Sequence, residues 1–328
     1  MMHQTLSVAA FAAVLSAAAL SASPSPAQSV PESADPIVLS KLDWTGQFVT
    51  TEVAAEILRR MGYNVEILQT TQVPMIEAMK EGQITASLEN WYQALAPQYR
   101  AATEAGEIVK FGPTGLEGSE GSEGWYYPAY VEAKCQGLPD WHALKDCADI
   151  FATPETAPKG RLLDYPAEWN PDAQNWIDAL GLDVVALPSG GEGSTAAELR
   201  SATLREEPIL LQWWEPTWVA TEFDLKRVML DEGAEGCTAA EQAGIETRKS
   251  FDCTGGTIEI AKLAWPGLEE KWPAAYRFLE AYQMTNTMQG PMAMAIETED
   301  RKPEDVAKEW VDQNEAVWKT WVDAATQK

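Results

Sequence analysis

The chain has 328 residues, with 50 acidic against 24 basic side chains and a formal charge of −26. Nucleic acid and anionic lipid are thereby excluded as partners, because both call for a basic footprint. Only His3 and His142 are available for His-dependent metal binding or catalysis, whereas fourteen tryptophans exceed what an ordinary core requires.

Leu6 to Leu20 is an uncharged apolar run, too short to span a bilayer comfortably, and Ser25-Pro26-Ala27 supplies small residues behind it. The pattern predicts a secretory signal peptide over residues 1–27, cleaved after Ala27, although the first five residues lack Lys and Arg. Export suits a disulfide-forming compartment. Of the three pairings open to Cys135, Cys147, Cys237 and Cys253, the sequence-local one is expected: Cys135 with Cys147 and Cys237 with Cys253. No cysteine follows the apolar run, so a free periplasmic protein is expected rather than a lipid-anchored one.

The mature segment opens with a strand at 36–40, a helix at 47–61 closed by Gly62, a strand at 64–68, a helix at 74–81 closed by Gly82, and a strand at 84–88. This order predicts an α/β fold with a mostly parallel sheet and crossover helices. A Gly, Ser and Glu-rich stretch at 112–124 reads as a crossing into a second lobe. That lobe would hold the Cys135–Cys147 loop, a strand at 160–165, a helix at 171–180, a helix after Gly190–Gly193 and a strand at 209–212. The expected division is lobe I at 37–119 plus 229–328 and lobe II at 120–228, with a cleft that closes by hinge motion.

Ligands of open α/β sheets bind outside the carboxyl ends of the strands. Asp43-Trp44 follows the first strand, Glu89-Asn90-Trp91 the third, and Trp213-Trp214-Glu215-Pro216 the strand at 209–212. Three strands thus deliver indoles to one edge. Converging indoles suit sugars or organic cations, and a trimethylated nitrogen is the favoured guest. It has no N–H donors, water releases it cheaply, and each indole face contributes roughly 0.5–2 kcal/mol. Asp43, Glu89, Glu123 and Glu215 deepen the negative potential.

On Asp43-Trp44-Thr45, Glu89-Asn90-Trp91, Gly124-Trp125 and Trp214-Glu215-Pro216, the chain resembles the periplasmic binding proteins of glycine betaine/choline ABC importers over roughly 37–328. The resemblance implies the two-lobed periplasmic binding fold of the type II kind. An aromatic box would be clamped between lobes by Trp44 and Trp91 from the first and Trp125 and Trp214 from the second. It implies a monomeric, non-catalytic receptor that works with a separate permease and ATPase.

None of the four motifs carries a basic residue, which disfavours a betaine carboxylate, although backbone amides at Gly190–Ser194 can still supply donors. Choline-binding members, by the same resemblance, carry an Asp where this chain has Gly46. Trimethylamine N-oxide fits best, with Glu123, where the resemblance places a Glu in N-oxide binders, as the partner of the ligand oxygen. Glycine betaine, choline and dimethylsulfoniopropionate stay open as alternatives.

Trp169 and Glu215 are further candidate contacts, each balanced against a packing role. Glu155, Asn170 and Asp172 offer oxygens of the kind a structural calcium takes, but a solvated loop is the favoured reading, and no other cofactor is expected. Trp213 and Trp214 are adjacent, so one of them faces the cleft, and the Trp-Glu-Pro match favours Trp214. Trp141, Trp176, Trp265, Trp272, Trp310, Trp318 and Trp321 read as packing. The rival functions are a carbohydrate-active enzyme, for which no spacing singles out a carboxylate pair, and an adhesive exported domain, which would not close around a ligand.

Overall fold

A computed structural model describes residues 30–91, 96–112, 121–169, 171–230 and 259–326. The signal segment, Asn170, Cys237 and Cys253 lie outside the described residues. The first lobe begins with β1 (Ile37–Lys41), α1 (Thr45–Arg60), β2 (Val65–Gln69), α2 (Gln72–Lys80), β3 (Ala86–Trp91), α3 (Ala96–Glu104) and β4 (Val109–Phe111). Gly62 and Gly82 end α1 and α2 in left-handed conformations, φ +97° and +71°, which their lack of Cβ permits.

The second lobe follows with β5 (Ser122–Pro128), β6 (Gln136–Pro139), α4 (Leu144–Cys147), β7 (Gly160–Asp164), α5 (Ala173–Leu180), β8 (Val184–Pro188), α6 (Glu192–Arg205), β9 (Leu210–Glu215), α7 (Val219–Glu222) and β10 (Leu225–Arg227). A disulfide joins Cys135 to Cys147. The chain then returns through β11 (Ile260–Ala264) and the helices α8 (Leu268–Lys271), α9 (Pro273–Ala281), α10 (Asn286–Glu299), α11 (Pro303–Gln313) and α12 (Glu315–Thr326).

Two five-stranded sheets result, ordered β2-β1-β3-β11-β4 and β10-β5-β9-β7-β8. The chain crosses between them after β4 and again after β10. In the first sheet β1 runs parallel to β2 and β3, while β11 is antiparallel to β3 and β4. In the second, β7 is parallel to β8 and β9, while β5 is antiparallel to β9 and β10. Both sheets are therefore mixed. Crossover helices enforce parallel pairing only within each βαβ run, and strands arriving from the other lobe enter from the opposite end.

Two apolar clusters fill the interior. One draws on both lobes, taking Trp44 and Trp91 from the first and Leu163, Leu211 and Trp214 from the second. The other belongs to the second lobe alone, around Trp125, Tyr127, Leu162, Trp176 and Leu210. Trp318 and Trp321 pack into the first cluster, where Trp321 meets Tyr282 edge-on at 5.0 Å and stacks with Trp310 at 6.3 Å.

Candidate functional site: an aromatic cluster between the lobes

Trp44 stands between the carboxyl end of β1 and the first turn of α1. Gln47 fixes this corner: its Oε1 accepts the Leu42 N–H at 2.8 Å, and Thr51 Oγ1 donates to the Ser40 carbonyl at 3.0 Å. Trp91 is the last residue of β3. Between the two indoles lies Glu89, 2 % exposed, which accepts from Trp44 Nε1 at 2.8 Å, Thr50 Oγ1 at 2.7 Å and Gln289 Nε2 at 2.7 Å. Burial pushes the Glu89 pKa up, and these donors, together with the Trp91 indole, pull against that shift.

The second lobe supplies Tyr165 and Trp169, just beyond the end of β7, and Trp214, the penultimate residue of β9. Consecutive rings meet nearly at right angles: Trp44 and Trp169 at 6.0 Å and 80°, Trp169 and Trp214 at 5.5 Å and 69°, Trp214 and Trp91 at 6.5 Å and 77°. Tyr165 joins them at 5.5 Å from Trp169 and 5.7 Å from Trp214. Trp213 stacks behind Trp214 at 4.4 Å and gives its N–H to Thr217.

Trp125 makes none of these ring contacts. The register shows where it stands. β5 runs antiparallel to β9, so its amino end lies beside the carboxyl end of β9, and Glu123 stands directly opposite Trp214. Trp125 is two residues further in, opposite Gln212, and is buried in the second lobe's own core. Glu123 is thus the β5 side chain level with Trp214, and its charge helps to hold the Tyr165 phenol protonated, after burial as the larger cause.

Polar contacts also cross the cleft. Trp169 Nε1 donates to Asp43 Oδ2 at 2.9 Å, and the Thr45 backbone N–H donates to Glu192 Oε2 at 2.7 Å. The other Glu192 oxygen accepts from Trp218 Nε1 at 2.8 Å. Burial, reinforced by the charge of Glu297, pushes Glu192 up to about 7. Gly121 approaches Trp91 so closely that a Cβ there would collide with the indole.

Glu215 is exposed and lines a cavity of about 460 Å³ with Tyr126, Trp213, Trp214 and Phe223. Glu155 is exposed and Asp172 precedes α5. Among the described residues no three His, Cys, Asp or Glu side chains gather to hold a metal. Sequence reasoning missed Tyr165, Gln289 and Glu192. The strand-end rule that found the tryptophans also covers Tyr165, and Glu192 stood in a Gly-rich turn weighed only for its backbone amides; Gln289 arrives from α10 with no local signal.

A family model described as the substrate binding domain of the ABC-type glycine betaine transport system matches residues 35–313. The chain belongs to this family. A trimethylamine N-oxide-binding protein of Pelagibacter ubique is 29 % identical over 300 residues, covering 88 % of this chain and 90 % of the relative. Among solved structures, a glycine betaine/L-proline-binding protein from Borrelia burgdorferi is similar with a TM-score of 0.68 at 21 % identity, over 89 % of this chain and 99 % of that one. The lactococcal OpuAC protein, closed on glycine betaine, is similar with a TM-score of 0.67 at 17 % identity, over 88 % and 99 % respectively. The substrate-binding domain of this family, two mixed sheets flanked by helices, is the frame on which the aromatic cluster sits.

Proposed function

We propose that the protein is the non-catalytic solute receptor of an ABC importer in the periplasm, and that it encloses a small trimethylated amine among Trp44, Trp91, Trp169 and Trp214. The observation that carries this reading is the run of near-perpendicular indoles from both lobes. A cation lying about 4.5 Å in front of each of two perpendicular rings, inside the ~6 Å reach of the ring quadrupole, puts their centroids about 6.4 Å apart. The corners that join one lobe to the other, at 6.0 and 6.5 Å, suit that spacing. Four such walls supply several kcal/mol, on the order of what micromolar binding needs once association costs are met.

Trimethylamine N-oxide is the favoured ligand. Its oxygen is a compact acceptor, and Tyr165 is a phenol whose pKa is driven well above its ordinary value, so its O–H persists at any physiological pH. That hydroxyl makes no well-formed hydrogen bond, although Gln212 is close enough to be felt. Glu123, opposite Trp214, is the second candidate partner for the oxygen. The relative in Pelagibacter ubique, named for trimethylamine N-oxide, supports this choice over betaine.

Calorimetric titration with trimethylamine N-oxide, choline, glycine betaine, carnitine and dimethylsulfoniopropionate tests the reading. Tightest binding of the N-oxide is expected. Preference for betaine or choline would replace the ligand and keep the receptor, whereas silence toward all five would remove both.

A further inference from the structure

Asp43 and Thr45 flank Trp44, and each makes a polar contact to the opposite lobe. Asp43 takes the indole N–H of Trp169, and Thr45 gives its backbone N–H to Glu192. The Trp169 contact matters for the geometry of the cluster. Trp169 ends a three-residue 3-10 turn, Ala167–Trp169, held by its own N–H to the Pro166 carbonyl at 2.9 Å. A turn that short has little stiffness of its own. Ala167 and Glu168 are exposed, so the packing of the turn falls to Trp169 itself. An indole has a single donor, and the one on Trp169 points across the cleft.

Resting on the receptor reading above, we propose that Asp43 is a positioning residue: by accepting the Trp169 N–H it sets that indole upright between Trp44 and Trp214, so closure of the lobes itself erects the last wall of the aromatic box. In the open form Asp43 and the Trp169 N–H both face water, and the described part of the first lobe contributes Trp44 and Trp91. Closure exchanges those hydrations for one charge-assisted hydrogen bond, and the ring arrives already oriented. Ligand retention is thereby tied to closure, and the effect falls on the dissociation rate more than on the association rate.

The test is a double-mutant cycle on the full mature chain, with Asp43→Ala, Trp169→Phe and the pair, read by stopped-flow tryptophan fluorescence with trimethylamine N-oxide. Phe keeps an aromatic wall and removes the N–H. Each single variant is expected to raise the dissociation rate about tenfold, the scale of a hydrogen bond to a charged acceptor, and the double variant no further than either alone. Asp43→Asn, which keeps an acceptor oxygen, should recover most of the loss, and the melting temperature of ligand-free Asp43→Ala should stay at the wild-type value. Multiplying losses in the double variant, or an unchanged dissociation rate in Asp43→Ala, would overturn the proposal while wild-type binding leaves the receptor reading intact. If the wild type binds no methylated amine, the receptor reading itself fails, a result visible before any variant is made.

Discussion

On the first lobe, Trp44 and Trp91 share one anchor, the buried Glu89, and that carboxyl is held in turn by Thr50 and Gln289. On the second, Tyr165, Trp169 and Trp214 lean on one another and, through Trp169, on Asp43 across the cleft. The first pair is therefore oriented by folding, and the ordering entropy of those indoles is spent before any ligand arrives. On the proposal above, Trp169 takes its place in the second set when the lobes meet. Substitutions on the first side should lower stability and affinity together, whereas those on the second should lower affinity and spare stability.

The strongest way to break that contrast is Glu89→Ala. It strands the Trp44 N–H, the Thr50 hydroxyl and the Gln289 amide in a dry interior, at about 1–3 kcal/mol for each group left unsatisfied. A stability loss of roughly 3 kcal/mol or more is expected from urea denaturation, together with weakened ligand binding. A loss under about 1 kcal/mol would mean that the anchor is dispensable.

The interlobe contact at Glu192 gives the next effect, through pH. Its pKa of about 7 in the folded chain lies above the ordinary glutamate value of 4.5, so the native state keeps a proton that the unfolded chain releases. Stability from this group is thus flat below about pH 4.5, falls as pH rises toward 7, and levels off above, by on the order of 3 kcal/mol in total. Asp164, raised to about 6 by burial, adds a slope of the same sign at lower pH. Denaturation midpoints from pH 4 to 8 should decline, and Glu192→Gln should flatten the upper part of the curve. A midpoint that climbs with pH would contradict the assignment.

Individual walls come next. Trp44→Ala, Trp91→Ala and Trp214→Ala should each cost about 1–2 kcal/mol of ligand affinity by loss of ring contacts, measured by calorimetry. The first two should also lower the melting temperature, because their removal empties the surroundings of Glu89; equal stability losses from Trp214→Ala would erase the distinction between the lobes.

Much of this was legible in the sequence because the relevant signals are local. Strand periodicity and glycine stops place β1, α1, β2 and α2 within a few residues, and the strand-end rule points to Trp44, Trp91 and Trp214. The mixed character of both sheets was hidden, since β11 joins β3 and β4 from far along the chain and no local pattern encodes its direction. Gln289 reaches Glu89 across 200 residues for the same reason. That Trp125 stands outside these ring contacts was not legible, because a Gly-Trp pair says nothing of which end of an antiparallel strand lies beside Trp214. Only the register with β9 decides that.

That register yields the smallest and most discriminating effect. Trp125 packs with Tyr127, Leu162 and Leu210 in the core of the second lobe and takes no part in the ring contacts between the lobes described above. Trp125→Phe removes part of a buried indole and leaves a small void, so a stability loss of about 1–2 kcal/mol is expected. Ligand affinity should hold within about twofold, because a site separated from the cluster contributes little to it. Glu123, two residues earlier on the same strand, should behave in the opposite way: exposed enough that Glu123→Gln leaves the melting temperature unchanged, yet placed beside Trp214 so that the N-oxide is lost preferentially over choline. If Trp125→Phe weakened binding as much as Trp214→Ala does, β5 would have to be paired two residues out of its present register, with Trp125 rather than Glu123 opposite Trp214.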